Sequence, residues 1–259
     1  MKLYQIDAFS KTVFSGNPAA VCPLKEWLTD EIMQQIAAEN NLAETVFYVK
    51  KDTKYEIRWF TPTVEVDLCG HATLAAAFVL FNFENYNEVQ INFYSPRSGD
   101  LTVTKEGDLL SLNFPVDVFE AVELTNQMLD AFDCKPKKAF KGKTDYMFLF
   151  ENEEEILNLK PNFETIMKLN VRGVIVTAKG NNSDFVSRFF GPQSGINEDP
   201  VTGSAHTTLI PFWAKELNKN KLSAIQLSER RGYLECELLG NRVRISGYAK
   251  CYLIGDLFL

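Results

Sequence analysis

The chain predicts an α+β protein of two similar domains, each a mixed β-sheet wrapped around one central helix. Three observations lead there. Alternating or β-rich segments outnumber helical ones and do not alternate with single helices as a βαβ series would. One pattern occurs twice: "RWFTP" from Arg58 followed by a helix start at Gly70, and "RFFGP" from Arg188 followed by one at Gly203, offset by 130 and 133 residues in a chain of 259. An ordered repeat at about half the length reads as a duplication. Finally, the segments that begin at 71 and 203 are apolar on nearly every side, the pattern of a helix buried within its own sheet.

The elements follow in order. In the first half, alternation predicts strands at 2–9, 45–50, 55–60, 89–94, 100–104 and 109–114. Thr29 predicts the N-cap of a helix over 29–40, and the small-residue run predicts the first central helix over 71–82. In "NFPVDVFEAVE", at 113–123, Pro115 breaks a strand and sets the boundary between an N-terminal domain, 1–115, and a C-terminal one, 116–259. The second half predicts strands at 145–150, 173–178, 184–190, 224–228, 232–238 and 242–246, with helices at 122–132, 163–169 and 203–217. "KPKKAFKGK", at 135–143, reads as a solvated loop.

Composition excludes several classes. A chain 46% hydrophobic and 24% charged, with no low-complexity stretch, is globular. A net charge of -7 with no basic stripe argues against nucleic acid. The N-terminal "MKLYQIDAF" alternates like a strand rather than a signal peptide, and the longest apolar run, 74–81, is far short of the ~20 residues that span a bilayer. No membrane partner and a cytoplasmic location are expected. Five cysteines (22, 69, 134, 236 and 251), odd in number and without a C-x-x-C, predict reduced thiols. Nucleotide fingerprints are absent and C-x-H alone is a poor metal site, so neither cofactor nor metal is expected.

Both histidines fall at the paired helix starts, "DLCGHATLAAA" and "GINEDPVTGSAHTT". A helix N-terminus presents unpaired N–H groups and partial positive charge, so Gly70, His71, Gly203 and Ser204 form candidate anion sites for a carboxylate. Cys69, Thr202 and, upstream, Glu198 and Asp199 add polar groups. Each alone also fits an ordinary role: Thr202 as an N-cap, Ser204 as a first-turn polar residue, Cys69 as a packed thiol. A hydrogen-bonded buried histidine is the expectation for His206, one turn deeper. In "AAENNLAETVFYV", Glu44 opens a strand among small and apolar neighbours, where desolvation tunes a carboxyl group toward proton shuttling; a surface Glu at a loop end is the alternative.

"FSGNPAAVC", "NNLAETVF", "RWFTPTVEVDLCGHATLAA" and "EDPVTGSAHTTL", in this order between residues 14 and 209, together resemble the PhzF-like isomerases of phenazine biosynthesis, related in fold to diaminopimelate epimerase. The resemblance implies two such domains with an active-site cleft between them, and a homodimer. It implies Glu44 as the general acid/base, assisted by His71, Asp199 and Ser204, with Asn17 in "GNP" on the substrate loop. The epimerases place a thiol in each domain. Here Thr202 stands where the second would be, which disfavours a two-thiol racemase. The expected function is a cofactor-independent isomerase acting on a small carboxylate-containing metabolite; the alternative is a catalytically silent ligand- or partner-binding module.

Overall fold

Some strands of the computed structural model, which describes residues 1–259, alternate buried with exposed residues, while others are buried on nearly every residue. Residues 1–113 with 245–259 form one unit, and residues 114–244 form the other.

The first unit contains β1 (Lys2–Ala8), β2 (Asn17–Leu24), α1 (Asp30–Asn40), β3 (Glu44–Lys51), β4 (Lys54–Phe60) and β5 (Glu65–Val66). It continues with α2 (Gly70–Phe83), β6 (Gln90–Ser95), β7 (Gly99–Glu106) and β8 (Leu109–Pro115), whose last two residues belong to the second unit. Strands β2 and β3 are parallel, as are β4 and β6, while β1–β2, β3–β4, β6–β7 and β7–β8 are antiparallel. The sheet is therefore mixed. Helix α2 is buried over most of its length, from His71 to Leu80, and its run Ala75–Ala76–Ala77 lets β1, β2, β3 and β7 close around it without large side chains intervening. Helix α1 begins at Thr29, whose Oγ1 accepts the Ile32 N–H, and it covers the outer face, packing Met33, Ile36 and Ala37 on Ala20, Phe47 and Phe60.

The second unit repeats this plan. It holds β9 (Glu120–Val122), α3 (Asn126–Leu129), β10 (Lys138–Lys141), β11 (Asp145–Leu149), α4 (Glu153–Asn158) and α5 (Phe163–Met167). There follow β12 (Gly173–Lys179), β13 (Phe185–Gly191), β14 (Ile196–Asp199), α6 (His206–Leu217), β15 (Lys221–Gln226), β16 (Gly232–Leu239) and β17 (Arg242–Gly247), whose last three residues belong to the first unit. As in the first unit, a parallel pair, β11 and β12, leads to an antiparallel β13, which pairs in parallel with the strand after the central helix, β15. Helix α6 is the counterpart of α2. Outside, Met128, Ile156 and Ile166 pack over Val174, Val176, Val186 and Phe190, the layer that α1 supplies in the first unit.

The repeated Arg-aromatic motif has a structural basis. Arg58 donates from Nε and Nη2 to Glu65 at 2.7 and 2.9 Å, and Arg188 does the same to Glu198 at the same two distances. Each guanidinium also stacks on the Phe two residues on, Phe60 or Phe190.

Several elements differ from the sequence expectation. Residues 245–259 belong to the first unit, because β18 (Ala249–Asp256) pairs antiparallel with β1 from Lys2↔Asp256 to Ala8↔Ala249. In the second unit β9 pairs with β10 in the same way. That pairing draws residues 120–122 and part of the basic stretch into the sheet, so the helix expected over 122–132 shrinks to α3 and the expected loop at 135–143 contains a strand. The strand expected at 224–228 lies at Lys221–Gln226. Strand β2 carries Pro18 and Pro23, which hid it, and α4 is too acidic and short to show a helical stripe. All five cysteines are free thiols, and no helix is long and apolar enough to cross a membrane.

Candidate active site

In the first unit, the starts of β2, β3 and α2 bring four sequence-predicted residues together. Phe9, Phe14 and Gly16 have positive φ, and a Cβ on Gly16 would sit 2.1 Å from the Ala8 carbonyl oxygen, so the loop into β2 closes only with glycine there. Buried Asp7 anchors that loop by accepting the Phe14 N–H at 2.8 Å. The loop delivers Asn17, fully buried, to the first position of β2. Glu44 opens β3, opposite Ala19 in the parallel pair. Cys69 is the N-cap of α2 with extended backbone and no side-chain cap bond, and Gly70 and His71 are the first helical residues, whose N–H groups have no acceptor within the helix.

His71 is the centre of this cluster. Its Nε2 lies 3.2 Å from Oε2 of Glu44, its Nδ1 lies 3.1 Å from the Asn17 side-chain amide, and Cys69 Sγ is 3.4 Å from Nδ1. The Glu44–His71 contact is close but not aligned as a hydrogen bond, leaving Oε2 buried with an open acceptor site. Burial disfavours the charged form of His71, but Cys69 and the Glu44 carboxylate outweigh it and hold its pKa well above the ordinary histidine value. Burial pushes the Cys69 thiol up to about 11. Cys69 thus lies above the ordinary thiol range, and Glu44 is the carboxyl group that faces Nε2 of His71. An amide orientation with Asn17 Oδ1 toward Nδ1 lets the Nδ1–H of His71 donate to it.

The second unit gathers another set around Thr202. Asp199 ends β14, and its Oδ2 accepts the Thr202 hydroxyl at 2.6 Å. Gln226, fully buried at the end of β15, clamps both residues. Its Oε1 accepts the Thr202 N–H at 2.8 Å, while Nε2 donates to the Asp199 carbonyl at 2.8 Å and to Thr202 Oγ1 at 3.2 Å. Because Oγ1 receives that bond, the Thr202 proton is directed to Asp199. Ser204 Oγ accepts from Arg172 Nη2 at 3.0 Å, and Arg172 forms a bidentate pair with buried Asp145 and stacks on Phe189.

One expectation here needs correction. Helix α6 starts at His206, three residues later than expected, and Gly203 and Ser204 lie in a preceding turn tightened by His206 N–H to Gly203 carbonyl and Thr207 N–H to Ser204 carbonyl bonds, both 3.1 Å. Glu198 is occupied by Arg188. Sequence reasoning missed Gln226, Arg172 and Asp145. The signal for two of them was present: Gln226 and Asp145 take inward positions in strands whose other inward residues are apolar.

The units also differ where it matters. Thr45 pairs with Phe60 and Val174 with Phe190, so Gly173 occupies in β12 the place that Glu44 holds in β3. A Cβ on Gly173 would lie 2.1 Å from Cζ of Phe189, whose ring covers the position. The carboxylate is unique to the first unit.

His206 is buried, and its Nδ1–H donates to the Thr202 carbonyl at 2.9 Å, as expected for a structural histidine. Burial lowers its pKa from 6.5 to about 4. The unfolded chain then takes up this proton first as pH falls, so the contribution of neutral His206 is complete above about pH 6.5 and is lost toward pH 4. At pH 5 the loss is about 2 kcal/mol. Urea unfolding at pH 7 and pH 5 is expected to show this drop in the native protein and not in His206→Asn, whose amide keeps a donor for Thr202; equal drops in both would remove His206 as the cause.

Residues 6–254 match the family described as Phenazine biosynthesis-like protein, PhzC-PhzF. A Pseudomonas aeruginosa protein named as an uncharacterized isomerase is 49% identical over 259 residues, covering 100% of this chain and 99% of its own. The crystal structure of a PhzF-family phenazine biosynthesis protein from Enterococcus faecalis superposes with a TM-score of 0.97 at 48% identity, covering 100% of this chain and 99% of that one. A probable proline racemase from Agrobacterium radiobacter shares the fold at a TM-score of 0.67 and 9% identity, with 100% and 93% covered.

Proposed function

From the membership of this chain in the phenazine biosynthesis-like family of isomerases, we propose that Glu44 moves a proton between two carbons of a small carboxylate-bearing metabolite. The observation that carries this reading is Oε2 of Glu44, a buried oxygen with an open acceptor site 3.2 Å from Nε2 of His71. In the forward step the carboxylate takes the proton of an acidic C–H bond, leaving the electron pair delocalised into the substrate. The same oxygen then returns the proton to a different carbon. His71, held by Asn17, supports the negative charge on Glu44 before transfer and loses that partner charge as Glu44 becomes neutral. The N–H groups of Gly70 and His71 at the start of α2 offer positive potential to the substrate carboxylate and to charge developing during transfer.

In the same proposal, Asp199 and Ser204 assist proton handling and recognition, with Thr202 and Gly203 shaping their turn. Asp199 receives the Thr202 proton and Ser204 is fixed by Arg172. A neutral Cys69 thiol, and Thr202 in the second thiol's place, count against a two-thiol racemase. Candidate carboxylates that raise the melting temperature should be incubated with the enzyme in deuterated water and followed by proton NMR. Deuterium entering a new carbon as the double bond shifts is the expected result. Ligands that stabilise the fold yet exchange no C–H proton would replace the isomerase reading with that of a silent binding module.

A further inference from the structure

Strand β18 pairs antiparallel with β1 along one edge and packs on α2, and no other strand of its unit lies along its second edge. Three consecutive residues in its middle are apolar and exposed: Tyr252 at 47%, Leu253 at 41% and Ile254 at 49%. A regular strand packed on one face would expose only every second residue. The run arises at a bulge, where Leu253 pairs with Gln5 and Cys251 with Ile6, leaving Tyr252 with no residue opposite it. Phe14, 70% exposed, sets its ring edge-on to that of Tyr252 at 5.5 Å and widens the patch, with exposed Val13 beside it. We propose that this patch is the contact surface for a second copy of the chain, the two β18 strands lying antiparallel along their open edges about a twofold axis at Leu253.

The chemistry of the strand selects its own copy as the occupant. From Lys250 to Asp256 the sequence KCYLIGD is complementary to its own reverse: Lys250 falls opposite Asp256, Cys251 opposite Gly255, Tyr252 opposite Ile254, and Leu253 opposite Leu253. A twofold contact then carries one oppositely charged pair at each end and apolar side chains between them. A register centred on Tyr252 sets Lys250 against Ile254, and one centred on Ile254 sets Tyr252 against Asp256; both lose the charge pairs. Asp256 already holds Lys2 at 2.9 Å on the β1 side, and its carboxylate is half exposed, open to a second ammonium. Edges that stay single carry charge or proline to repel a neighbouring strand. Here the charges of β18 stand at the ends and complement one another, while the middle is apolar. Persistent contacts cover about 800 Å² per partner around an apolar centre with a polar rim, and β18 with Phe14 supplies that centre.

This contact stands on β18 and its neighbouring loop alone and is independent of the isomerase reading, so its test needs no substrate. Sedimentation velocity at micromolar protein is expected to show a species of twice the chain mass. Leu253→Lys, folded by circular dichroism, should weaken association at least about a hundredfold. Lys250→Glu and Asp256→Lys should each weaken it about tenfold, because each sets like charges opposite one another, whereas an equimolar mixture of the two variants restores both opposite-charge pairs and should recover the dimer. Leu253→Cys in a Cys251→Ser background should cross-link to its own copy under mild oxidation, since a residue on the twofold axis meets itself. Val118→Cys in the same background, exposed in the second unit, should not. An unaltered protein that remains monomeric overturns the proposal, as does a dimer that Leu253→Lys leaves intact. A dimer in which the mixed charge variants fail to recover, or in which Leu253→Cys fails to cross-link, overturns the twofold register. If Leu253→Lys does not fold, the charge variants, both at exposed positions, decide the outcome.

Discussion

Glu44→Gln is expected to lower the rate of substrate C–H exchange by about 10²–10⁴, the usual contribution of general acid–base catalysis, with ligand binding retained. Gln keeps the size of Glu and can still face Nε2 of His71, so the fold and the His71–Asn17 contact should persist. What it lacks is an oxygen that can accept and return a proton. Cys69→Ser is expected to be far milder, because a thiol raised to about 11 is not the base near neutral pH. The measurement is proton–deuterium exchange on one active carboxylate, applied to both variants after circular dichroism confirms their folding. Exchange abolished by Cys69→Ser but near normal in Glu44→Gln would transfer the chemistry from the carboxylate to the thiol.

Gln226→Leu is expected to damage stability and turnover together. Leucine fills a similar volume but leaves the Thr202 N–H and the Asp199 carbonyl without the bonds that Gln226 supplies at 2.8 Å each. An unsatisfied buried backbone group costs about 1–3 kcal/mol and the Asp199 carbonyl is only partly buried, so a loss of about 2–4 kcal/mol in urea unfolding is expected. The Thr202 hydroxyl, no longer oriented by Nε2, is released from its fixed donation to Asp199. A displacement of this kind costs up to about a hundredfold in kcat. Gln226→Glu keeps the acceptor for the Thr202 N–H but loses the donor, so it should recover part of the stability while kcat stays low. A kcat that follows stability alone across the two variants would show that Gln226 only supports the fold.

Much of the architecture could be read from residue patterns, and particular residues show why. The central helix α2 announced itself because a buried helix must be apolar all round, and the Arg58 and Arg188 motifs repeated because each holds a Glu and a Phe in the same arrangement. Glu44, His71, Cys69 and Asn17 were visible because local turns position them, and local turns leave signatures of glycine, proline and small residues. Gln226 and Asp145 left only the weaker signal of a polar residue at an inward strand position, since each works through partners 24 or more residues away and has no motif of its own. The start of α6 was misplaced because the choice between a helical turn and the tighter turn at 203–205 depends on Thr202 being held by Gln226, a long-range contact.

Strand β18 closes the first unit against β1, yet it is made after every residue of the second. During vectorial synthesis, residues 1–113 leave the ribosome with β1 lacking its partner at residues 249–256, while residues 114–244 can emerge and pair among themselves first. The earlier-made half is thus the later one to be completed, and an exposed β1 edge persists through translation of more than half the message. Shortened nascent chains that stop before Ala249 would carry the residues of the Glu44–His71 cluster on a scaffold still missing a strand.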